Sequence, residues 1–257
     1  VSNPVFFTPA GSLNQLIPGS TFVLEGAEAR HAVTVKRLAV GEPVDIADGS
    51  GMRLTGAVVD AGSSTLTVKA SEVVLEDQPA VRLVLVQALA KGDRDELAIE
   101  TATELGIDAV IPWQSERAIV RWKGERAAKA HAKWQSVVTA AAKQARRAWI
   151  PEVRSMMDTA ALAKAVAAAD VAIILHEDAK NPLRTVLEES VAVRTGDDGI
   201  PREVLLIVGP EGGISPREVT RLSDAGAVTA LLGHHVLRSS TAGPAAVVLA
   251  SDVLGRW

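Results

Sequence analysis

Two different rhythms of apolar and polar residues divide the chain near residue 76. Before that point, short segments alternate: VDIADG at 44–49, MRLTGAVVDA at 52–61 and TLTVKASEVV at 65–74, separated by Gly and Ser turns. Val44 and Ile46, then Leu66, Val68 and Ala70, recur at period two, the spacing of strands that bury one face. Residues 1–76 are therefore predicted to form a small β-barrel domain. EGAEARHAVTVKRL at 25–38 interrupts the alternation with Ala29, Val33 and Leu38 among basic residues, which predicts one helix set between the strands. EDQPA at 76–80 then reads as the linker.

From Val81 the apolar runs lose their alternation: VRLVLVQA, IDAVIP at 107–112, VAIIL at 171–175, EVLLIVG at 203–209 and VTALLG at 228–233. Runs apolar on both faces and separated by helical segments predict a parallel sheet covered on both sides, so residues 77–257 form an α/β domain. DELAIETATELG closes on Gly106, and Ser215-Pro216-Arg217-Glu218 supplies an N-cap, a proline at the first helical position and a capping-box glutamate. Gly226 ends that helix after about three turns. The longest helix is predicted over 124–149, with Ala127, Ala130, Trp134, Val137, Val138 and Ala141 as its apolar stripe. No internal repeat is present, and TGDDG at 195–199 reads as a mobile surface loop.

Composition narrows the chemistry. The chain has no cysteine, which excludes disulfides, thiolate metal sites and cysteine nucleophiles. The first twenty residues lack a basic segment followed by a long apolar one, and no run of eighteen apolar residues occurs; the expectation is a soluble, non-exported, cytoplasmic protein. A net charge of −4 argues at first against a nucleic-acid partner, but the segment from Arg117 to Arg154 carries +8 while the remainder carries −12. A basic arm on an acidic body suits local RNA binding, and it also suits a solvated helix face. Within the arm Arg117, Arg121, Lys143, Arg146 and Arg147 stand beside Trp122 and Trp149, an arrangement able to hold phosphates and stack bases. Trp134 and Trp149 read more naturally as core residues.

Two glycine-containing loops leave apolar strands and enter helices. GPEGGIS at 209–215 allows close backbone approach to a ligand in front of a helix N-terminus, yet it has neither the Walker ending nor the GxGxxG turn. LLGHHVLRSSTAGPAA at 231–246 contains His234 and His235. Adjacent histidines project apart, and His31, His131 and His176 offer no spaced partner, so no metal site is predicted. Without a G-x-S-x-G elbow a Ser/His nucleophile is equally poor, and Ser239 and Ser240 belong in a helix N-cap. HED at 176–178 also lies at a strand's carboxyl end. Three loops from three successive strands then converge, which predicts a small-molecule pocket.

RHAVTVKRL at 30–38, ELGIDAVIPWQSERAIV at 104–120, the Gln-x-x-Arg of AAAKQARR, GPEGGIS and LGHHVLRSSTA at 232–242 together resemble the ribosomal RNA small subunit methyltransferase E family of the SPOUT superfamily, over nearly the whole chain. The resemblance implies a PUA-like barrel for RNA over 1–76 and a SPOUT domain over 77–257 whose end is threaded into a trefoil knot. It implies a homodimer that transfers a methyl group from S-adenosylmethionine to N3 of uracil-1498 in 16S ribosomal RNA, without a metal. The cofactor would lie among Leu175, His176, Gly209, Pro210, Glu211, Gly212, Gly213, Leu232, Gly233, Val236, Leu237 and Ser239. RNA contacts would come from Arg30, His31, Arg37, Lys91, Arg117, Arg121, Arg146 and Arg147. In-line transfer from a sulfonium depends on positioning and electrostatics, so Arg238 is the candidate for stabilising charge on the uracil carbonyl oxygens. Glu211 is the first candidate for the base, with solvent hydroxide as its rival.

Five positions depart from the family pattern. His234 and His235 replace Pro-Arg, Ser239 replaces Thr, Ser240 replaces Glu, and Thr101 stands where lysine is common; only the hydroxyl of Ser239 preserves its chemistry. These changes leave two other readings open: an RNA-binding ribosome-assembly protein without catalysis, and a SPOUT methyltransferase acting on another RNA nucleotide.

Overall fold

The computed structural model describes residues 3–193 and 202–257, so the TGDDG stretch lies outside the described residues. The chain divides into two compact units, Val1–Gln78 with Ala142–Ile150, and Pro79–Ala141 with Pro151–Trp257.

The first unit is a curled five-stranded sheet formed by β1 (Val5–Phe7), β2 (Thr21–Glu25), β3 (Pro43–Ala47), β4 (Met52–Ala61) and β5 (Thr65–Leu75), in the order β1-β3-β4-β5-β2. β1 runs parallel to β3 and the other pairs are antiparallel. Val44, Ile46, Leu54, Leu66 and Val68 fill its core with Phe6, Leu24 and Ala29, as their period-two spacing requires. The helix expected over 25–38 has two parts: α1 (Gly26–Arg30) and then a π-helical turn over His31–Val35. The widening falls on Val33, Thr34 and Val35, consecutive β-branched residues that crowd an α-helix.

Residues 142–150, which the sequence places in the second domain, pack within the first unit. The Trp149 indole N–H donates to the Glu76 carbonyl at 2.9 Å, and its ring covers Gly51, where a Cβ would stand 2.4 Å from ring carbons. Trp149 is therefore a packed residue outside any helix.

In the second unit every strand pair is parallel. β6 (Val81–Ala88), β7 (Ala109–Gln114), β8 (Glu152–Val153), β9 (Met157–Asp158), β10 (Val171–Leu175), β11 (Arg202–Val208) and β12 (Val228–Ala230) form a sheet ordered β12-β10-β11-β6-β7-β8, with β9 also on β7. Val84, Val86 and Ala88 face α4 (Thr159–Ala168) and α6 (Pro216–Asp224), while Leu85 and Gln87 approach Gly243 of α7 (Ser239–Val253). α7 also packs on α2 (Arg94–Glu104) and α5 (Leu183–Val193). α3 covers Glu125–Gln144 and stops five residues short of the expected end, because Arg146 adopts φ +58°. No helix among the described residues is long and apolar enough to cross a membrane.

Candidate functional site

Because β10, β11 and β12 are adjacent and parallel, the loops that follow them emerge at one edge of the sheet. They enclose a cleft of about 1210 Å³. Leu175 and His176 from the first loop, Gly209 to Gly213 from the second, and Leu232, Gly233, Val236, Leu237 and Ser239 from the third all line it. So do Arg238, His234, His235, Arg117 and Arg94. Arg94 was not singled out in the sequence, where it is one more charge at the start of a helix.

The loop 209–215 is held by side chains far away in sequence. Glu211 accepts from the Arg94 guanidinium at 2.9 Å and from the Lys91 amide at 3.2 Å. Partial burial pushes the Glu211 carboxyl upward, but its own amide, Arg94 and the Lys91 amide outweigh that and hold it below its ordinary value. The Gly212 carbonyl accepts from Arg117 at 3.1 Å, and a Cβ on Gly212 would meet the Arg117 side chain at 3.3 Å. A Cβ on Gly209 would stand 2.6 Å from Ile214, so the loop closes on itself only with glycine there.

At its end, Ser215 caps α6 with the reciprocal capping box that the sequence predicted. Glu218 does more than cap. Its carboxylate is 1% exposed and accepts from the Ser215 amide at 3.1 Å, the Glu116 amide at 2.8 Å and the Thr159 hydroxyl at 2.7 Å. Glu116 in turn accepts from the Ser215 hydroxyl and from Arg217, in that order the causes that hold its carboxyl low. Arg121 donates to the Ser115 and Glu116 carbonyls at 2.8 and 2.7 Å, bracing the same turn. Glu116, Thr159 and the second role of Glu218 carry no sequence signal, since they meet only through tertiary packing.

The loop 231–238 is built differently. Leu231 exchanges backbone hydrogen bonds with Asn181 and Leu183, after which Gly233 to Arg238 are exposed, Val236 at 80%. Arg238, not a serine, is the N-cap of α7; its carbonyl accepts from Thr241 and Ala242. Its guanidinium makes no hydrogen bond or ion pair among the described residues. Ser239 is thus the first helical residue, and its buried hydroxyl, at a residue 7% exposed, has no partner among the described residues. His176 accepts at Nδ1 from the Asp178 amide at 3.2 Å, closing a local turn. Among the described residues no group of three or more His, Cys, Asp or Glu could hold a metal ion.

The basic residues separate by unit. Lys91, Arg117 and Arg121 surround the 209–215 loop as described, while Arg30, His31, Arg37, Arg146 and Arg147 belong to the first unit. Arg30, Arg37 and Arg146 are exposed; His31 is half-buried with its ring edge-on to Phe6. Trp122, proposed from sequence as a stacking platform, is 7% exposed and packs at right angles on Trp134, so it is a core residue.

Residues 76–251 match the family model of the RNA methyltransferase domain. The chain is 40% identical over 247 residues to the ribosomal RNA small subunit methyltransferase E of Mycobacterium tuberculosis, covering 93% of this chain and 89% of that protein. Among solved structures it is similar to a ribosomal RNA small subunit methyltransferase E from Neisseria gonorrhoeae bound to S-adenosylmethionine, with TM-score 0.78, 25% identity and coverage of 98% of both chains. A methyltransferase from Legionella pneumophila, solved with the same bound cofactor, superposes with TM-score 0.78 at 26% identity over 98% of both chains. This likeness identifies the fold as a PUA-like sheet joined to the knotted parallel sheet of SPOUT methyltransferases.

Proposed function

The chain belongs to the ribosomal RNA small subunit methyltransferase E family, and from that premise we propose that it methylates N3 of one uridine, uracil-1498, in 16S ribosomal RNA with S-adenosylmethionine as donor. The observation that carries this reading is the convergence of three loops on one cleft with the orphaned Ser239 hydroxyl in its wall. That site fits the cofactor: Gly209, Gly212 and Gly213 add no side chain to the lining, and the Ser239 hydroxyl is a polar group without a partner among the described residues. When bound there, the cofactor supplies an electrophilic methyl group on a sulfonium. Leu175, His176, Gly209 to Gly213, Leu232, Gly233, Val236, Leu237 and Ser239 would hold it.

The remaining work falls to this chain's own residues. Arg238, unpaired at the rim, would bind the uracil carbonyl oxygens and stabilise the charge that develops as N3 loses its proton. Glu211 is better suited to anchoring than to proton transfer. Its carboxylate is occupied by Arg94 and Lys91 and its pKa is depressed, which makes it a weak acceptor for an N3 proton. The proton therefore passes to solvent hydroxide in this reading, and Glu211 positions the loop. Arg30, His31, Arg37, Lys91, Arg117, Arg121, Arg146 and Arg147 would meet RNA phosphates, with residues 1–76 as the RNA-binding domain. A homodimer in the cytoplasm, where small subunits are assembled, completes the proposal.

Incubating the protein with labelled S-adenosylmethionine and small subunits from cells lacking this methyl group, then mass-mapping the RNA, tests the reading. Label at N3 of a single uridine of 16S RNA is expected. Label elsewhere, or none with cofactor bound, rejects it. Light scattering at twice the chain mass checks the dimer.

A further inference from the structure

Five helices among the described residues end on a residue in the left-handed region, and they divide by unit. In the second unit α2, α6 and α7 end on Gly106 (φ +100°), Gly226 (φ +111°) and Gly255 (φ +64°). The amides of Ile107, Ala227 and Arg256 then reach back to the carbonyls of Ala102, Leu222 and Ser251, the Schellman closure. In the first unit the equivalent residue after α3 is Arg146 (φ +58°), with the Arg147 amide on the Ala142 carbonyl at 2.9 Å. After the π-helical turn it is Arg37 (φ +56°), with the Leu38 amide on the Ala32 carbonyl at 3.1 Å.

A Cβ disfavours this conformation, and glycine is the ordinary solution. Aspartate, whose short polar side chain can compensate by bonding locally, visits the region more readily, and Asp93 stands there at φ +58° although its side chain makes no cap hydrogen bond. Arginine has no such compensation. Nor do these two neutralise their own helix ends by contact, since neither guanidinium makes a hydrogen bond or ion pair among the described residues, and both residues are exposed. Their backbones are nevertheless anchored. Lys143, in the last turn of α3, donates to Glu28 of α1 at 2.7 Å and lies 3.3 Å from His31 Nδ1. The Arg146 carbonyl accepts from Arg53 at 2.8 Å, and Arg53 is itself paired with Glu76 and Asp45. Two unpaired cations are thus presented from fastened helix ends at positions where glycine would fold more easily. Exposed Arg30 and Lys36 accompany them on the α1 side.

We propose that Arg37 and Arg146 are phosphate contacts to the RNA substrate, retained at strained backbone positions because binding needs their side chains. This assignment rests on the RNA-substrate reading above and adds that the residues oppose folding while serving recognition. Binding of a 16S RNA transcript as a function of salt, together with thermal unfolding, separates the two effects in Arg37→Gly, Arg146→Gly and the double variant. Each glycine is expected to raise Tm by about 2–4 °C, through relief of strain. Each is also expected to weaken RNA binding and lower the slope of log affinity against log salt by about 0.7–0.9. Arg37→Lys and Arg146→Lys should keep both the slope and the wild-type Tm. Wild-type slopes in the glycine variants, or a lower Tm, overturn the assignment alone. A wild-type protein with no salt-dependent RNA binding overturns the substrate reading, and this assignment with it.

Discussion

The loops 209–215 and 231–238 both leave a strand of the same sheet and open a helix on the same cleft, yet they are stabilised in opposite ways. The first is held from three directions, by Arg94 and Lys91 on Glu211, by Arg117 on Gly212, and by Glu116 and Glu218 on its capping serine. The second is exposed from Gly233 to Arg238, enters α7 without a side-chain cap, and keeps an unpaired arginine and an unsatisfied hydroxyl at its end. A rigid wall suits a ligand whose geometry must be set before reaction, since preorganised groups need no rearrangement in the transition state. A rim with unspent polar groups suits a partner that arrives later and supplies their complements.

That contrast can be broken most sharply at Arg238. Arg238→Ala is expected to lower the rate of methyl transfer by about 10²–10³, the usual loss for one charge-stabilising donor, with cofactor affinity unchanged. A titration calorimetry experiment beside single-turnover kinetics distinguishes this from a binding defect; an unaltered rate at saturating cofactor removes Arg238 from the chemistry. The rigid wall should fail through stability instead. Glu218→Ala leaves two amides and a hydroxyl without their acceptor at a buried position, and should cost about 2–4 kcal/mol in denaturant unfolding. A loss below about 0.5 kcal/mol, the range of surface substitutions, shows that the network is dispensable.

Ser239→Ala sharpens the comparison on a smaller scale. Its hydroxyl has no partner in the free protein, so stability should hold or rise slightly, while cofactor affinity falls by about 0.5–1.5 kcal/mol if a ligand atom completes that bond. Unchanged affinity assigns the hydroxyl to water. Glu211 gives the wall a pH signature. Its folded pKa lies below its ordinary value of 4.5, so its contribution to stability is full above that pH and is lost as the pH falls through the depressed folded value. Glu211→Gln should flatten that acid limb of the unfolding curve, and an identical limb in both proteins locates the effect elsewhere. The smallest response is expected at His234→Ala, an exposed rim position, where stability should change by less than about 0.5 kcal/mol.

How far the site could be read in advance follows the same division. The three loops were legible because each is bounded by an apolar run and a helix start, and parallel pairing then brings them to one edge. The capping box of α6 was legible because Ser215 and Glu218 are three residues apart and their bonds are local. Arg94 was not, because its partner is 117 residues away. Trp122 misled for the same reason: beside arginines in sequence it suggested a stacking surface, and packing put it against Trp134. The end of α3 was missed because arginine occupies the left-handed position that glycine normally marks.

What the sequence determined by itself was periodicity and punctuation: which segments are strands buried on one face or two, where most helices start and stop, and which loops leave the carboxyl ends of strands. These are interactions between residues a few positions apart, so composition and spacing encode them directly. The tertiary structure alone decided which charges already have partners within the protein. Arg94, Arg117 and Arg121 already brace the 209–215 wall, whereas among the described residues Arg37, Arg146 and Arg238 make no side-chain hydrogen bond or ion pair. That outcome depends on partners brought near by folding, because a guanidinium's role is set by the nearest acceptor in space, which linear order does not specify.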